Sequence, residues 1–208
     1  MQNQLIISDK DVNSCVSELI DLEPKFLKAV SVCGVPKIRK ANFGFEALFR
    51  IMVGQQLSTI AANSIWKKLV ENNLTKIDSI SVADDLKLRV LGLSNKKISY
   101  VRGLAAAEID YESMIDKSDS DIIQELIGLN GIGVWTAQIY LIFSLRRADI
   151  FASGDLALKE GVRALFDLNE RPSERDLDQM SQPWSPVRTI ASLITWNYYN
   201  YLKRRKDP

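Results

Sequence analysis

The sequence predicts an all-α protein whose helices are joined by short turns. Three observations carry this. Apolar residues recur at three- and four-residue spacing, most plainly at Val187, Ile190, Ala191, Ile194, Tyr198 and Tyr201. Capping residue types stand just ahead of helical stretches, at Ser58, Ser94, Ser118 and Asp155, where a side-chain oxygen can satisfy the first unpaired amides. A turn with two glycines, Leu129 to Gly133, separates two helical segments. With 208 residues, the chain can bury a core as one domain or as two small lobes.

Taken in order, Ser8 to Ala41 reads as two helices. Asp9 or Asp11 suits the first cap, Pro24 the first turn of the second helix, and Gly34 its end. Phe45, Leu48, Phe49 and Met52 share one helical face, and Gly54 breaks that pattern. The next helix, opened by Ser58, should bury Ile60, Ala61, Ile65 and Leu69. Short helices follow, then a longer one after Ser94 with Ile98, Val101 and Leu104 inside. Lys96, Lys97 and Arg102 on it fit either phosphate contacts or a solvated basic face. Ser118 opens a helix that runs to Ile127, and another runs from Val134 to Leu145, apolar nearly all round and therefore buried. Asp155 opens a helix holding Leu156, Leu158, Val162, Leu165 and Phe166. In the last helix Trp196 points away from the apolar stripe, which fits an exposed residue or the wall of a cleft.

Composition narrows the chemistry. Histidine is absent, which removes Ser-His and Cys-His pairs, histidine metal sites and histidine bases. Any catalysis then falls to a carboxylate, Lys or Tyr. Two cysteines, Cys15 and Cys33, cannot build a disulfide framework, a four-cysteine zinc site or an iron–sulfur cluster. No apolar run reaches membrane-spanning length, and the first residues lack the pattern of a secretion signal. The expected location is cytoplasmic, or nuclear in a nucleated source. The formal net charge of +1 neither argues for nor excludes a nucleic-acid partner. The one dense basic run, Lys203 to Lys206, reads as a solvated helix end.

The turn Leu129-Asn-Gly-Ile-Gly133 is the first candidate site. Gly131 and Gly133 permit a close backbone approach, and the first amides of the following helix point outward. Together with the helix dipole they form a seat for a phosphate. Short glycine patterns also serve as plain joints between helices. The wider wording, Leu-x-Gly-Ile-Gly-x-x-Thr136-Ala, resembles a helix-hairpin-helix motif, a sequence-independent clamp on DNA phosphates. Asp149-Ile-Phe-Ala-Ser-Gly-Asp155 follows it. This combination resembles the HhH-GPD superfamily of DNA base-excision glycosylases, and most of all its 3-methyladenine DNA glycosylase II (AlkA-like) branch. The likeness covers roughly residues 20 to 200.

The resemblance implies a two-lobed helical fold in a single unit over 1–208. The helix-hairpin-helix would lie at about 119–146 and the catalytic loop at about 149–156, with no room for the extra N-terminal β domain of larger relatives. It implies DNA contacts from Gly131, Gly133 and Thr136. It implies others from Gln55, Gln56, Leu57 and Ser58, whose wording resembles the loop that fills the hole left by an extruded base. Gln56 matches the wedge position, and Leu57 can share the role. It makes Asp155 the catalytic carboxylate, compatible with its reading as a helix cap: a helix mouth supplies donors that favour a charged carboxylate. Trp135 and Trp196 would line the base pocket, although core packing also fits Trp135. Trp135 stands where bifunctional members carry a Schiff-base lysine, and an indole cannot play that part.

The activity implied is that of a monofunctional glycosylase acting on alkylated purines, of the 3-methyladenine and 7-methylguanine type, in double-stranded DNA. No metal, cofactor or iron–sulfur cluster is expected in the chemistry, although hairpin carbonyls could hold a structural monovalent cation as in relatives. A monomer is expected. Two rival readings are a glycosylase for another lesion class and a non-catalytic helix-hairpin-helix DNA-binding module.

Overall fold

The computed structural model describes residues 5–37 and 42–206. Its elements there are helices, with one isolated antiparallel bridge between Leu5 and Arg147. Helix α1 (Asp9–Leu22) is capped by Ser8, not by Asp9 or Asp11. Ser8 accepts from the Asp11 amide, and the Asp11 carboxylate accepts in return from the Ser8 amide at 2.8 Å. Asp11 thus closes the box from the third helical position and leaves the cap to the hydroxyl. Pro24 lies ahead of α2 (Phe26–Cys33), and Gly34 ends that helix at φ 75°. Helix α3 (Gly44–Gly54) leads into the 55–58 loop, after which Ser58 caps α4 (Thr59–Glu71).

One expected stripe is corrected. Helix α4 buries Trp66 and Leu69, whereas Ile60 is 84% exposed. Ile60 sits in the first turn beside the loop, and Trp66 takes the inward position against Phe49, edge to face at 5.5 Å. Two short helices follow, α5 (Ile77–Val82) and α6 (Asp85–Val90), then α7 (Asn95–Ala106), capped by Ser94. Ser118 caps α8 (Asp119–Ile127) as expected. Helix α9 (Val134–Phe143) stops two residues short of the expected Leu145. Arg146 there takes a left-handed φ of 55°, and the Arg147 amide returns to the Leu141 carbonyl at 3.0 Å. That bond satisfies a late carbonyl of the helix, and the left-handed residue before it turns the chain. Asp155 caps α10 (Leu156–Leu165), Ser173 caps α11 (Glu174–Ser181), and α12 (Arg188–Lys206) closes the chain.

The chain divides into two compact units: Met1–Lys40 with Leu141–Pro208, and Ala41–Tyr140. The first, the terminal unit, is built on α12, which meets α1, α2 and α10. Its centre is Trp184, 1% exposed. Phe26 and Phe151 meet that indole edge to face, at 5.0 and 5.2 Å, and Phe166 lies tilted against it at 5.5 Å. Helices α10 and α12 approach closely at Gly161. A Cβ added there would lie 2.6 Å from Thr195 Cγ2 and 2.9 Å from the Thr195 carbonyl oxygen.

The second, the hairpin unit, packs α3 against α4 and α7 around Leu48, Phe49 and Met52. The first amide of α3, that of Gly44, donates to the buried Tyr140 hydroxyl at 3.2 Å, so a phenol replaces the cap that Phe43 cannot provide. Among the described residues, no helix is long and apolar enough to cross a membrane.

The packing at Gly161 gives a direct test. Gly161→Ala should lower thermal stability by about 1–3 kcal/mol, the usual cost of overpacking, because a backbone oxygen lies in the way. An unchanged melting temperature would show that the α10–α12 approach is looser than described.

Candidate active site and nucleic-acid interface

The terminal unit carries the acidic candidate. Its loop from Ala148 to Asp155 is fixed to the start of α12 before any chemistry is considered. Arg188 grips Asp149 with two bonds, Nε at 2.7 Å and Nη2 at 2.8 Å, and the Ser185 hydroxyl donates to the same carboxylate at 2.8 Å. Burial alone would push the Asp149 carboxyl up; the bonds from Arg188 and Ser185 outweigh it and hold the group below its ordinary value. Thr189 adds three ties. Its hydroxyl donates to the Arg147 carbonyl at 2.6 Å and accepts from the Ile150 amide at 3.0 Å, and its own amide donates to the Ala148 carbonyl at 2.9 Å. The loop then turns through an Asp155 amide to Ala152 carbonyl bond of 2.8 Å.

Asp155 emerges at the mouth of α10. Its Oδ1 accepts from the Leu158 amide at 3.0 Å, the cap expected from sequence, and also from the Trp196 indole N–H at 3.0 Å. Helical periodicity put Trp196 off the core stripe but gave no sign of this second bond. Trp196 is therefore a donor as well as an aromatic wall. Its ring stacks with that of Phe143, centroids 5.6 Å apart and planes 28° from parallel. Both rings line a cleft of about 650 Å³ within this unit, with Ile142 and Leu193 as apolar neighbours and Arg146 and Asn197 as polar ones. A flat apolar wall beside a fixed carboxylate suits a planar ring attached to a centre that gains positive charge.

The hairpin unit carries the phosphate candidate. Gly131 has φ 89°, and a Cβ there would come within 2.3 Å of the Tyr100 ring. A left-handed turn and a neighbouring aromatic both demand glycine at this position. Gly133 is exposed, with nothing within 4 Å of an added Cβ. Its surroundings leave room for an incoming group at the open end of α9. Trp135, in the first turn of α9, is half-buried.

Two residues expected to face DNA face each other instead. The Gln55 side-chain amide donates to the Gly131 carbonyl and to the Thr136 hydroxyl, both at 2.9 Å. Thr136 is 2% exposed, so its side chain braces the hairpin from inside. Gln56, Leu57 and Ser58 are exposed, as a contact surface requires, and Gln56 has a left-handed φ of 57°.

Of the basic residues in α7, Lys96 is exposed, while Lys97 turns inward and donates to the carbonyls of Val53 at 2.7 Å and Gln55 at 2.9 Å. Burial pulls the Lys97 ammonium pKa down. Arg102 is engaged with Asp85 and with the carbonyls of Ile80, Ser81 and Ala83. Neither of these two presents its charge as a free phosphate contact.

Among the described residues, no group of three or more His, Cys, Asp or Glu side chains is placed to hold a metal. In the hairpin turn the Leu129 carbonyl accepts from the Ile132 amide at 3.1 Å and the Gly131 carbonyl from Gln55. A monovalent cation there would have to share carbonyls already in use.

Comparison with known proteins adds the family. The model of the HhH-GPD superfamily base excision DNA repair protein matches residues 49–186, a span that includes the 55–58 loop, the hairpin and Asp155. The chain belongs to the HhH-GPD superfamily. Trp196, which holds the carboxylate of this HhH-GPD protein, lies beyond the matched span. The chain is 32% identical over 161 residues to DNA-3-methyladenine glycosylase 1 of Schizosaccharomyces pombe, covering 73% of this chain and 71% of that one. The solved structure of the 3-methyladenine DNA glycosylase Mag1 from that yeast, in complex with abasic DNA, superposes with a TM-score of 0.82 at 28% identity, covering 91% of this chain and 97% of that one. A DNA-3-methyladenine glycosidase from Bacillus halodurans gives a TM-score of 0.77 at 26% identity, over 98% and 95% of the two chains.

The two hairpin glycines should respond differently to substitution. Gly131→Ala combines a left-handed backbone with a collision, and should cost about 1–3 kcal/mol of stability. Gly133→Ala meets nothing and should stay within about 0.5 kcal/mol of wild type. Thermal melting of the pair checks this, and equal losses would contradict the geometry at Tyr100.

Proposed function

We propose that this HhH-GPD protein is a monofunctional DNA glycosylase of base excision repair, of the DNA-3-methyladenine glycosylase II type. Its partner is DNA, and its substrate is duplex carrying alkylated purines such as 3-methyladenine and 7-methylguanine. It hydrolyses the N-glycosidic bond and leaves an abasic site. The observation that carries the reading is the fixing of Asp155 by two donors, one from α10 and one from Trp196, in a chain of this family.

The glycosidic bond is out of reach inside a base stack, so the nucleotide must leave it. The open amides at Gly133 grip a phosphate through the helix mouth, and the exposed 56–58 loop takes the place of the extruded base. As the bond breaks, positive charge builds on the sugar. A carboxylate held beside that charge lowers the barrier without having to reorganise. Trp196 presents an electron-rich face to the base. A base alkylated at N3 or N7 is cationic, and cation–π attraction adds roughly 0.5–2 kcal/mol in its favour. That term is small, but such a base is already a good leaving group. Trp135 offers no amine for a Schiff base, so the strand should stay intact. A monovalent ion at the hairpin would be structural, and the chemistry uses none. A monomer in the cytoplasm, or in the nucleus of a nucleated source, completes the proposal.

The test is chromatography of bases released from methylated duplex DNA, with the strand examined afterwards. Free methylated purines should appear, strands should break only after hot alkali, and borohydride should trap no covalent adduct. Release of another lesion alone would change the substrate class. Duplex binding without release of any base would leave a DNA clamp, and trapped adduct would contradict the monofunctional assignment.

A further inference from the structure

The start of the loop between α3 and α4 is tied into the protein through its backbone. The Gln55 amide donates to the Met52 carbonyl and the Leu57 amide to the Gly54 carbonyl. The neighbouring carbonyls of Val53 and Gln55 receive the Lys97 ammonium. A helix C-terminus concentrates partial negative charge on such carbonyls, and here the cation that meets it comes from another helix, α7. The Gln55 side chain then reaches the hairpin, ending on the Gly131 carbonyl and Thr136. What the loop presents outward is Gln56, Leu57, 40% exposed, and just beyond them Ile60, 84% exposed.

We propose that Lys97 and Gln55 are positioning residues that lock the exposed 56–60 edge in register with the phosphate seat of the hairpin. Neither touches DNA. Lys97 fixes the end of α3, and Gln55 ties that end to the hairpin, so a phosphate held at the Gly133 amides sets where Leu57 and Ile60 enter the duplex. This rests on the glycosylase reading for its consequence, extrusion of a base, but the locking itself does not depend on the chemistry.

Three variants test it, in the full-length protein and below the melting temperature of each. Lys97→Met keeps the aliphatic stem and removes both donors. Gln55→Leu removes the tie to the hairpin, and Lys97→Arg restores a cationic donor. Loop insertion is read from 2-aminopurine fluorescence beside a tetrahydrofuran abasic analogue in duplex DNA. Single-turnover release of 3-methyladenine is measured in parallel. The expected result is a tenfold or larger loss of release by Lys97→Met and by Gln55→Leu, with the fluorescence change lost in step. Affinity for undamaged duplex should stay within threefold, and Lys97→Arg should recover most of the signal. The double variant should lose little more than the worse single one, since both act through one loop. Wild-type fluorescence and release in both single variants would overturn the proposal. So would a loss of undamaged-duplex affinity equal to the loss of release, which marks general unfolding of the unit. If wild type releases no base, the glycosylase reading falls, and the fluorescence arm alone decides the locking.

Discussion

The two hydrogen bonds onto Asp155 Oδ1 are the constraint on which the terminal unit depends. One comes from the backbone of α10 and one from an indole on α12, so the carboxylate is held between helices rather than by one cap. Those helices come close enough for Gly161 to admit no side chain. Behind the carboxylate, Arg188 and Thr189 fasten the loop to the first turn of α12. The same helix therefore sets the height of the loop and supplies the indole. The proposed cleavage asks for a charge fixed in this way, ready for a cation that forms only in the transition state.

The hairpin unit is organised around the pairing of its turn carbonyls. Gly133 and Val134, at the start of α9, are exposed, while nearby carbonyls are given internal partners. Ile132 takes the Leu129 carbonyl, Gln55 that of Gly131, and Lys97 those at the end of α3. In the proposed phosphate seat this matters, because unsatisfied carbonyls beside a phosphate would repel it.

Much of this was legible in the sequence where the signal is local. The caps at Ser58, Ser94, Ser118 and Asp155 are written in single residues followed by helical periodicity, and all four are found. The α12 stripe and the off-stripe position of Trp196 follow from helical angle alone. What stayed hidden depends on residues far apart in the chain. Trp196 meets Asp155 across 41 positions and Gln55 meets Thr136 across 81, and no spacing rule predicts such pairs. The inward turn of Lys97 was open to either reading because a basic helix face looks the same whether it meets water, phosphate or a carbonyl. Helical angle alone places Ile60 toward the core, since an apolar residue at that angle is normally buried. It is instead 84% exposed beside the loop, where Trp66 has taken the inward position.

The central claim is that the charge on Asp155 acts in bond cleavage and not only in capping. Asn caps a helix about as well as Asp but carries no charge. The measurement is the single-turnover rate of 3-methyladenine release by Asp155→Asn, taken beside its melting curve and its affinity for abasic-analogue duplex. The account predicts a melting temperature close to wild type, retained DNA binding, and a rate lower by at least a hundredfold. A rate near that of wild type, or one that falls only as far as stability does, would contradict it.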